Sequence, residues 1–203
     1  MNRERLLEAA GEIFAEHGFR NTTVREICKR ADINLAAVNY YFRDKQGIYE
    51  AVLLYAHRHA AGKYPAASET IEGIPPVERL KSFVCTFLRR ILDEGRPSWH
   101  GRLIAREMIE PTGILDKLID EEIRPKYELL FSIVEEILGA DAGKKKAALC
   151  TESIMAQCLF YRHSHLVLKR LRPGQDFSAE EVDKLAAHIA QFSLAALGGA
   201  KEG

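Results

Sequence analysis

Residues 23 to 45 restrict what this chain can fold into more than any other stretch. They read Thr-Val-Arg-Glu-Ile-Cys-Lys-Arg-Ala-Asp-Ile-Asn-Leu-Ala-Ala-Val-Asn-Tyr-Tyr-Phe-Arg-Asp-Lys. Thr23 and Glu26 have the spacing of a capping box, which starts a helix by satisfying two of its first N–H groups. Val24, Ile27, Cys28 and Ala31 then fall on one apolar stripe. Asp32 and Asn34 suit a turn, and Asn34 suits the N-cap of a second helix from Leu35 to about Tyr41. On that helix Val38, Tyr41 and Phe42 are expected to face inward, leaving Leu35, Ala36, Asn39 and Tyr40 on the other side. Asp44 reads as the N-cap of the next helix, with Lys45 in its first turn. Two short helices about a tight turn, the second too polar on one side to be buried all round, make a helix-turn-helix over about 23–42.

The outward face has the chemistry to read a DNA major groove. Asn34 and Leu35 open the helix. Ala36 and Ala37 are small enough to let the backbone approach thymine methyls, Asn39 can pair bidentately with adenine, and Tyr40 adds a hydroxyl at the same surface. Thr23, Tyr41 and Lys45 are placed to hold phosphates. A plain helical hairpin inside an all-α core would use the same apolar spacing, and the Leu-Ala-Ala-x-Asn-Tyr face weighs against it.

The charge pattern agrees. The chain has 29 basic and 29 acidic residues, which argues against a non-specific nucleic-acid coat. Positive charge is local: Arg20, Arg25, Lys29, Arg30, Arg43 and Lys45 stand against Glu26, Asp32 and Asp44. The ladder Glu4, Glu8, Glu12 and Glu16 is expected to be a solvated face. At 203 residues, 47% of them hydrophobic, the chain can bury one good core or two smaller ones. No apolar run has the length of a membrane span, and the N-terminus shows no signal-peptide core. Cys28, Cys85, Cys150 and Cys158 form no Cys-x-x-Cys pair, so reduced thiols and a cytoplasmic location are expected.

Beyond Phe42 the periodicity stays helical and no stretch alternates as a strand would. A helix over 45–63 should pack Ile48, Val52 and Tyr55 inward and end near a linker containing Pro65 and Gly73-Ile74-Pro75-Pro76. Val77–Leu92 follows, stopped at Gly95-Arg96-Pro97, and then a helix from Ser98 to Ile109. A long helix is expected from Thr112 to Leu138, kinked by Pro125 unless a break lies there. Helices over 144–171 and 178–197 complete an all-α fold of about nine helices. Ser178 and Glu181 suggest another capping box.

The order Gly18-Phe19, Thr22-Thr23-Val24-x-x-Ile27, Ala31-x-Ile33, then Val38-Asn39-Tyr40-Tyr41-Phe42-x-x-Lys45-x-x-Ile48-Tyr49 resembles the DNA-binding domain of the TetR/AcrR family of transcriptional repressors. Asp32 stands where the family often has Gly, and Gln46 where it often has Glu. The resemblance implies a DNA-binding head over 1–45 and a body over 46–203 that binds a small-molecule effector and dimerises, with 46–63 connecting them. The segment Ser98-Trp99-His100-Gly101-Arg102-Leu103-Ile104-Ala105-Arg106-Glu107-Met108, followed by Glu110-Pro111-Thr112, is similar to the branch containing regulators of cephalosporin and chloramphenicol sensitivity.

A two-fold dimer also follows from physics, because one short helix reads only a few base pairs. The last two helices are the expected interface, through Ile154, Cys158, Val182, Ala186, Ile189, Phe192 and Ser193. The effector pocket is expected where aromatic and polar residues mix on buried helices: Trp99, Arg102, Arg106 and Met108 in one segment. Tyr127, Phe131, Phe160, Tyr161 and His165 are expected to complete it. Glu107, in the first of these segments, is read the same way. No catalytic motif, cofactor motif or metal-ligand spacing is present. His57-x-His59 and His163-x-His165 point their rings to different sides of a helix, and the pairs Glu121-Glu122 and Glu135-Glu136 are most simply solvent-facing. The expected function is that of a repressor, not an enzyme, released from a palindromic double-stranded DNA operator by a small apolar or amphipathic effector. The alternative is a helical adaptor that has kept the head without sequence-specific DNA binding.

Overall fold

The computed structural model describes residues 3–63, 73–92, 98–174 and 176–199. The fold is all-α, with no strand among these residues. The expected Pro65 linker and Gly95-Arg96-Pro97 stop lie outside them, as do the side chains of His57 and His59. Contacts divide the chain into two compact units, Met1–His59 with Arg96–Ile123, and Ala60–Gly95 with Arg124–Gly203. Packing therefore does not divide the chain at residue 45. Most of the connecting helix, and the Ser98–Ile109 helix, share a core with the first three helices.

Along the chain α1 (Arg3–Asn21), α2 (Val24–Ala31), α3 (Leu35–Phe42), α4 (Lys45–Lys63), α5 (Pro76–Leu92) and α6 (Ser98–Ile109) follow in order, and all but α5 contribute to the first unit. The core of the first unit is built on Leu6, Phe14, Ile27, Val38, Ile48, Tyr49, Leu53 and Leu103. Phe14 meets Tyr49 edge to face with ring centroids 4.9 Å apart. Ile48 and Val52 are buried as their spacing predicts, while Tyr55 is half-buried and donates to Glu8.

α6 lies against α1 at Gly11, where a Cβ would sit 2.3 Å from the Trp99 ring. Only glycine permits that approach. Trp99 Nε1 donates to Glu8 Oε2 at 2.8 Å, and Tyr55 of α4 donates to the other oxygen of the same carboxylate. Glu12 holds Arg30 of α2 at 2.8 Å. The acidic ladder is thus not simply a solvated face: Glu8 and Glu12 fasten three helices to α1.

The helix expected from Thr112 to Leu138 is divided. α7 (Leu115–Leu118) runs into a π-helical turn, Ile119–Ile123, and α8 (Arg124–Leu138) begins one residue before Pro125. Proline has no N–H and its ring crowds the carbonyl four residues back, so the turn before it widens instead of continuing as α-helix. Glu122, expected in solvent, is buried there and accepts from Arg58 Nε at 2.7 Å.

The second unit holds α5, α8, α9 (Lys144–His163), α10 (His165–Leu171) and α11 (Ala179–Gly199). The helix expected over 144–171 breaks at Ser164. Its core joins Leu80, Val84 and Leu88 of α5 to Leu130, Ile133 and Val134 of α8, with Ile154, Cys158, Val182 and Ile189 from α9 and α11. Arg89 and Asp183 form a bidentate pair at 2.7 and 2.6 Å between α5 and α11, and this holds the Asp183 carboxyl below its ordinary range. At the start of α11 the expected box is half made. Glu181 N–H donates to Ser178 Oγ, but the Ser178 N–H goes to Asp176.

Candidate nucleic-acid interface

The helix-turn-helix is assembled by local side-chain chemistry. Thr23 Oγ1 accepts from Glu26 N–H at 3.3 Å, and Glu26 Oε2 accepts from the Thr23 N–H at 2.8 Å, a closed capping box. These bonds from the Thr23 backbone and hydroxyl lower the Glu26 pKa. Asp32 ends α2 in the left-handed region at φ 53°. Asn34 Oδ1 then accepts from Ala36 N–H at 2.8 Å and caps α3 as its position predicts.

α3 is held from beneath by Val38 and Phe42, both buried and one turn apart. Leu35 and Ala37 are partly buried, while Asn34, Ala36, Asn39, Tyr40 and Tyr41 are exposed. Tyr40 is 82% and Tyr41 61% accessible, their rings edge to face at 5.2 Å. Tyr41 was expected inward. With only eight residues, α3 needs no third anchor beside Val38 and Phe42, so the Tyr41 hydroxyl stays in water.

Two expected phosphate ligands are committed elsewhere. Lys45 Nζ donates to the carbonyls of Phe19, Thr22 and Arg20 at 2.9, 3.0 and 3.3 Å, and sits 4.6 Å from the Phe19 ring centroid. All three ammonium protons thus close the carbonyl end of α1, where the helix dipole is negative, instead of facing a phosphate. The Thr23 hydroxyl donates to Glu26 Oε2 at 2.8 Å, so it offers no proton and stands beside a carboxylate. A lysine in the first turn of a capped helix suggested a phosphate ligand; only the return of α1 over it reveals the carbonyls.

Of the six cations between Arg20 and Lys45, Arg30 is paired with Glu12 and Lys45 is consumed internally. Arg20, Arg25, Lys29 and Arg43 are exposed and make no ion pair among the described residues. Arg25 and Lys29 are one turn apart on α2. Arg43 sits in a tight turn at φ 63°, with the Asp44 N–H donating to Phe42 O at 2.7 Å. Asp44 Oδ1 accepts from Gly47 N–H at 2.8 Å, capping α4 as expected.

The expected pocket residues do not form one site within either unit. Trp99, Arg102, Arg106 and Met108 belong to the first unit, and Tyr127, Phe131, Phe160, Tyr161 and His165 to the second. Trp99 is core, packed on Gly11 and only 3% exposed, so it is unsuited to contact an effector. Arg106 lies over Gly18 and pairs with Glu110, and Arg102 and Met108 are exposed. Glu107 is fully buried and accepts from the Tyr49 hydroxyl and from Thr112 N–H and Oγ1, a structural knot between α4 and the end of α6. Burial, and then that bond, raise the Tyr49 pKa.

In the second unit Tyr127 stacks on Phe131, centroids 6.3 Å apart. Phe160 and Tyr161 line a hollow of about 340 Å³ between α9 and α11 with Ala156, Gln157, His188 and Ile189. A larger groove of about 670 Å³, lined by Val77, Cys85, Asp183, Ala186, Ala190 and Leu194 among others, runs between α5 and α11.

Of the expected interface residues, Ile154, Cys158, Val182, Ala186, Ile189 and Ser193 are buried within the chain itself, and burial pushes the Cys158 thiol up to about 12. Only Phe192 is exposed. The stripe expected to meet a partner subunit is instead covered by α5 and α8 together. The exposed side of these helices instead carries Leu149, Ala156, Phe160, Phe192, Ala195 and Ala196.

Among the described residues no group of three His, Cys, Asp or Glu side chains could hold a metal ion, and no helix is long and apolar enough to cross a membrane.

Two family models match separate parts of the chain, and their boundary does not coincide with that of the two packing units. The model of the tetR family of bacterial regulatory proteins matches residues 6–52, and that of the C-terminal domain of the HTH-type transcriptional dual regulator CecR matches residues 76–197. CecR of Shigella flexneri is 24% identical over 168 residues, 79% of this chain and 75% of its own. The fold is similar to that of HlyIIR, a hemolysin II transcriptional regulator, with a TM-score of 0.59 at 23% identity over 92% of this chain and 95% of that one. It is also similar to AibR, solved with isovaleryl coenzyme A and operator DNA, with a TM-score of 0.63 at 14% identity over 94% and 97% of the two chains. The chain belongs to the TetR/AcrR family of transcriptional regulators and carries a C-terminal domain of the CecR type.

Proposed function

We propose that this regulator is a homodimeric repressor that leaves a palindromic operator when a small apolar or amphipathic effector binds its body. Residues 1–45 carry the DNA contact, 46–203 the effector site and the dimer contact, and 46–63 the link between them. The observation that carries the reading is the exposed side of α3, where Ala36, Asn39, Tyr40 and Tyr41 stand in water on a helix pinned by Val38 and Phe42. That surface has no packing role, and its groups are those that read base edges and touch phosphates. Asn34, Leu35 and Ala37 complete the entering end of the helix. Arg20, Arg25, Lys29 and Arg43 replace Thr23 and Lys45 as the phosphate-holding groups.

The dimer contact is formed by the outer sides of α9 and α11. Phe160, Phe192 and Leu149 are 52%, 60% and 57% exposed there, an apolar exposure that a partner would cover. Small neighbours, Ala156, Ala195 and Ala196, permit close approach of a two-fold mate. AibR, with its acyl-coenzyme A and operator, supports the pairing of effector and DNA in a chain of this fold.

Footprinting on the DNA flanking its own gene tests the reading. Two protected half-sites with centres about 34 Å apart, weakening steeply with salt, are expected. Binding indifferent to sequence would instead match a helical adaptor and overturn it.

A further inference from the structure

The chain leaves the first unit at two described places, and both exits are helical. α4 runs on without a break past His59, where that piece of the unit ends, to Lys63. The π-helical turn Ile119–Ile123 ends the unit's other piece and passes straight into α8 at Arg124. The remaining crossing, at 95–96, lies outside the described residues. α4 is firmly seated, with Ile48, Tyr49, Val52 and Leu53 in the core. The π turn is held less firmly by its own backbone, because Pro125 brings no N–H to the helix that follows it. Such turns inside helices are frequent at functional sites.

Two side-chain clamps supply the hold that the turn lacks. Arg58, next to His59, donates from Nε to Glu122 Oε1 at 2.7 Å and from Nη2 to Glu121 Oε2 at 2.9 Å. Two turns earlier on α4, Glu50 holds Lys117, which also reaches Glu121 at 3.6 Å. From Glu50 to Arg58 is about 12 Å of helix, and two clamps that far apart fix an angle as well as a position. The Glu122 side chain is only 10% exposed, while that of Arg58 is 57% exposed. A buried carboxylate costs more than an apolar side chain of its size, and pairing seldom recovers more than that cost. What the pair supplies is geometry, since a guanidinium donates to two carboxylates at once only in a narrow set of arrangements.

We propose that Arg58 is a positioning residue for operator recognition, which sets the direction in which the chain leaves the π turn relative to α4. This rests on the dimeric-regulator reading above. α3 is joined to α4 through the Asp44 cap and the shared core, so α4 carries the recognition surface with it. In a two-fold dimer the exits of the two chains then decide how far apart their α3 helices stand. A palindrome rewards both heads at once only when that separation matches its half-sites. Arg58 touches neither base nor phosphate; it acts through Glu121 and Glu122.

The test uses the full chain and three duplexes: the palindrome found by footprinting, the same palindrome with one base pair inserted at its centre, and a single half-site. Arg58→Met keeps the side-chain stem, and Glu122→Gln keeps the buried shape without the charge. Both are expected to bind the half-site within about twofold of the unaltered chain and to lose roughly tenfold on the palindrome. The preference for the correct spacing should shrink as well, because heads free to swing accept either duplex. Arg58→Lys, which keeps charge without the fork, should fall between. Arg58→Met, at an exposed position, decides the matter if Glu122→Gln does not fold. Equal loss on half-site and palindrome would overturn the proposal, showing only a destabilised head. Unchanged palindrome affinity, or an unchanged spacing preference, would overturn it too. An unaltered chain that does not prefer the palindrome to its half-site removes the regulator reading and this proposal together, whereas a preference kept in full by the variants removes this proposal alone.

Discussion

Lys45 shows how one side chain can be right in position and wrong in role. Its ammonium closes the carbonyl end of α1, so Lys45→Met should destabilise the fold by about 1–3 kcal/mol, the order expected for losing a charged donor to buried acceptors. In the folded protein the slope of log affinity against log salt should stay unchanged, since no phosphate contact is lost; a shallower slope would restore the phosphate role. Asn39 is the opposite case, exposed and with nothing to hold inside the chain. Asn39→Ala should leave the melting temperature alone and remove discrimination at about one base pair per half-site, worth roughly 1–3 kcal/mol in a base-by-base affinity scan. Gly47 is a third kind of position. A Cβ there would stand 2.2 Å from the Phe42 carbonyl oxygen, so Gly47→Ala must push the α3–α4 turn apart. Thermal melting should show a loss of about 1–3 kcal/mol, and operator affinity should fall with it because α3 is re-aimed.

At the level of elements, the first unit is fastened by carboxylates. Glu8 ties α4 and α6 to α1, Glu12 ties α2, Glu107 ties α4 to α6, and Glu26 starts α2. Glu26 titrates below its ordinary value of 4.5 in the folded chain because it accepts from the Thr23 N–H and hydroxyl. A depressed native value means that its contribution is complete above about pH 4.5 and is lost as the pH falls through that lower value. Glu26→Gln should therefore lower stability at pH 7 and converge with the unaltered chain as the pH falls, flattening the acid limb of a stability-against-pH curve measured by urea unfolding at stepped pH. These ties were only partly legible. The Thr23–Glu26 capping box and the Asn34 and Asp44 caps are local, spanning two or three residues, so spacing alone revealed them. Glu8 and Trp99 are 91 residues apart, and the ladder looked solvated because helical periodicity says which side is polar and not what lies against it.

For the whole molecule the decisive quantity is which apolar surface remains after folding. Leu149, Phe160 and Phe192 are among the residues that remain, and in the proposed two-fold interface each would be buried twice. Phe192→Asp should weaken self-association by several kcal/mol, from roughly 1.5–3 kcal/mol per buried aromatic side chain counted in both subunits. Sedimentation should then show monomer at concentrations where the unaltered chain pairs, with helix content unchanged by circular dichroism. A dimer that survives Phe192→Asp would move the contact off this face.

The sequence alone determined the helical class and the helix-turn-helix with its caps, because periodicity, capping and turn chemistry act over a few neighbouring residues. Which of several apolar stripes stays exposed, whether a lysine meets a carbonyl or a phosphate, and whether a tryptophan lines a cavity or plugs a core were decided only by the tertiary structure. Burial depends on the second element that arrives, often 50 to 100 residues away along the chain, and no local pattern records its approach.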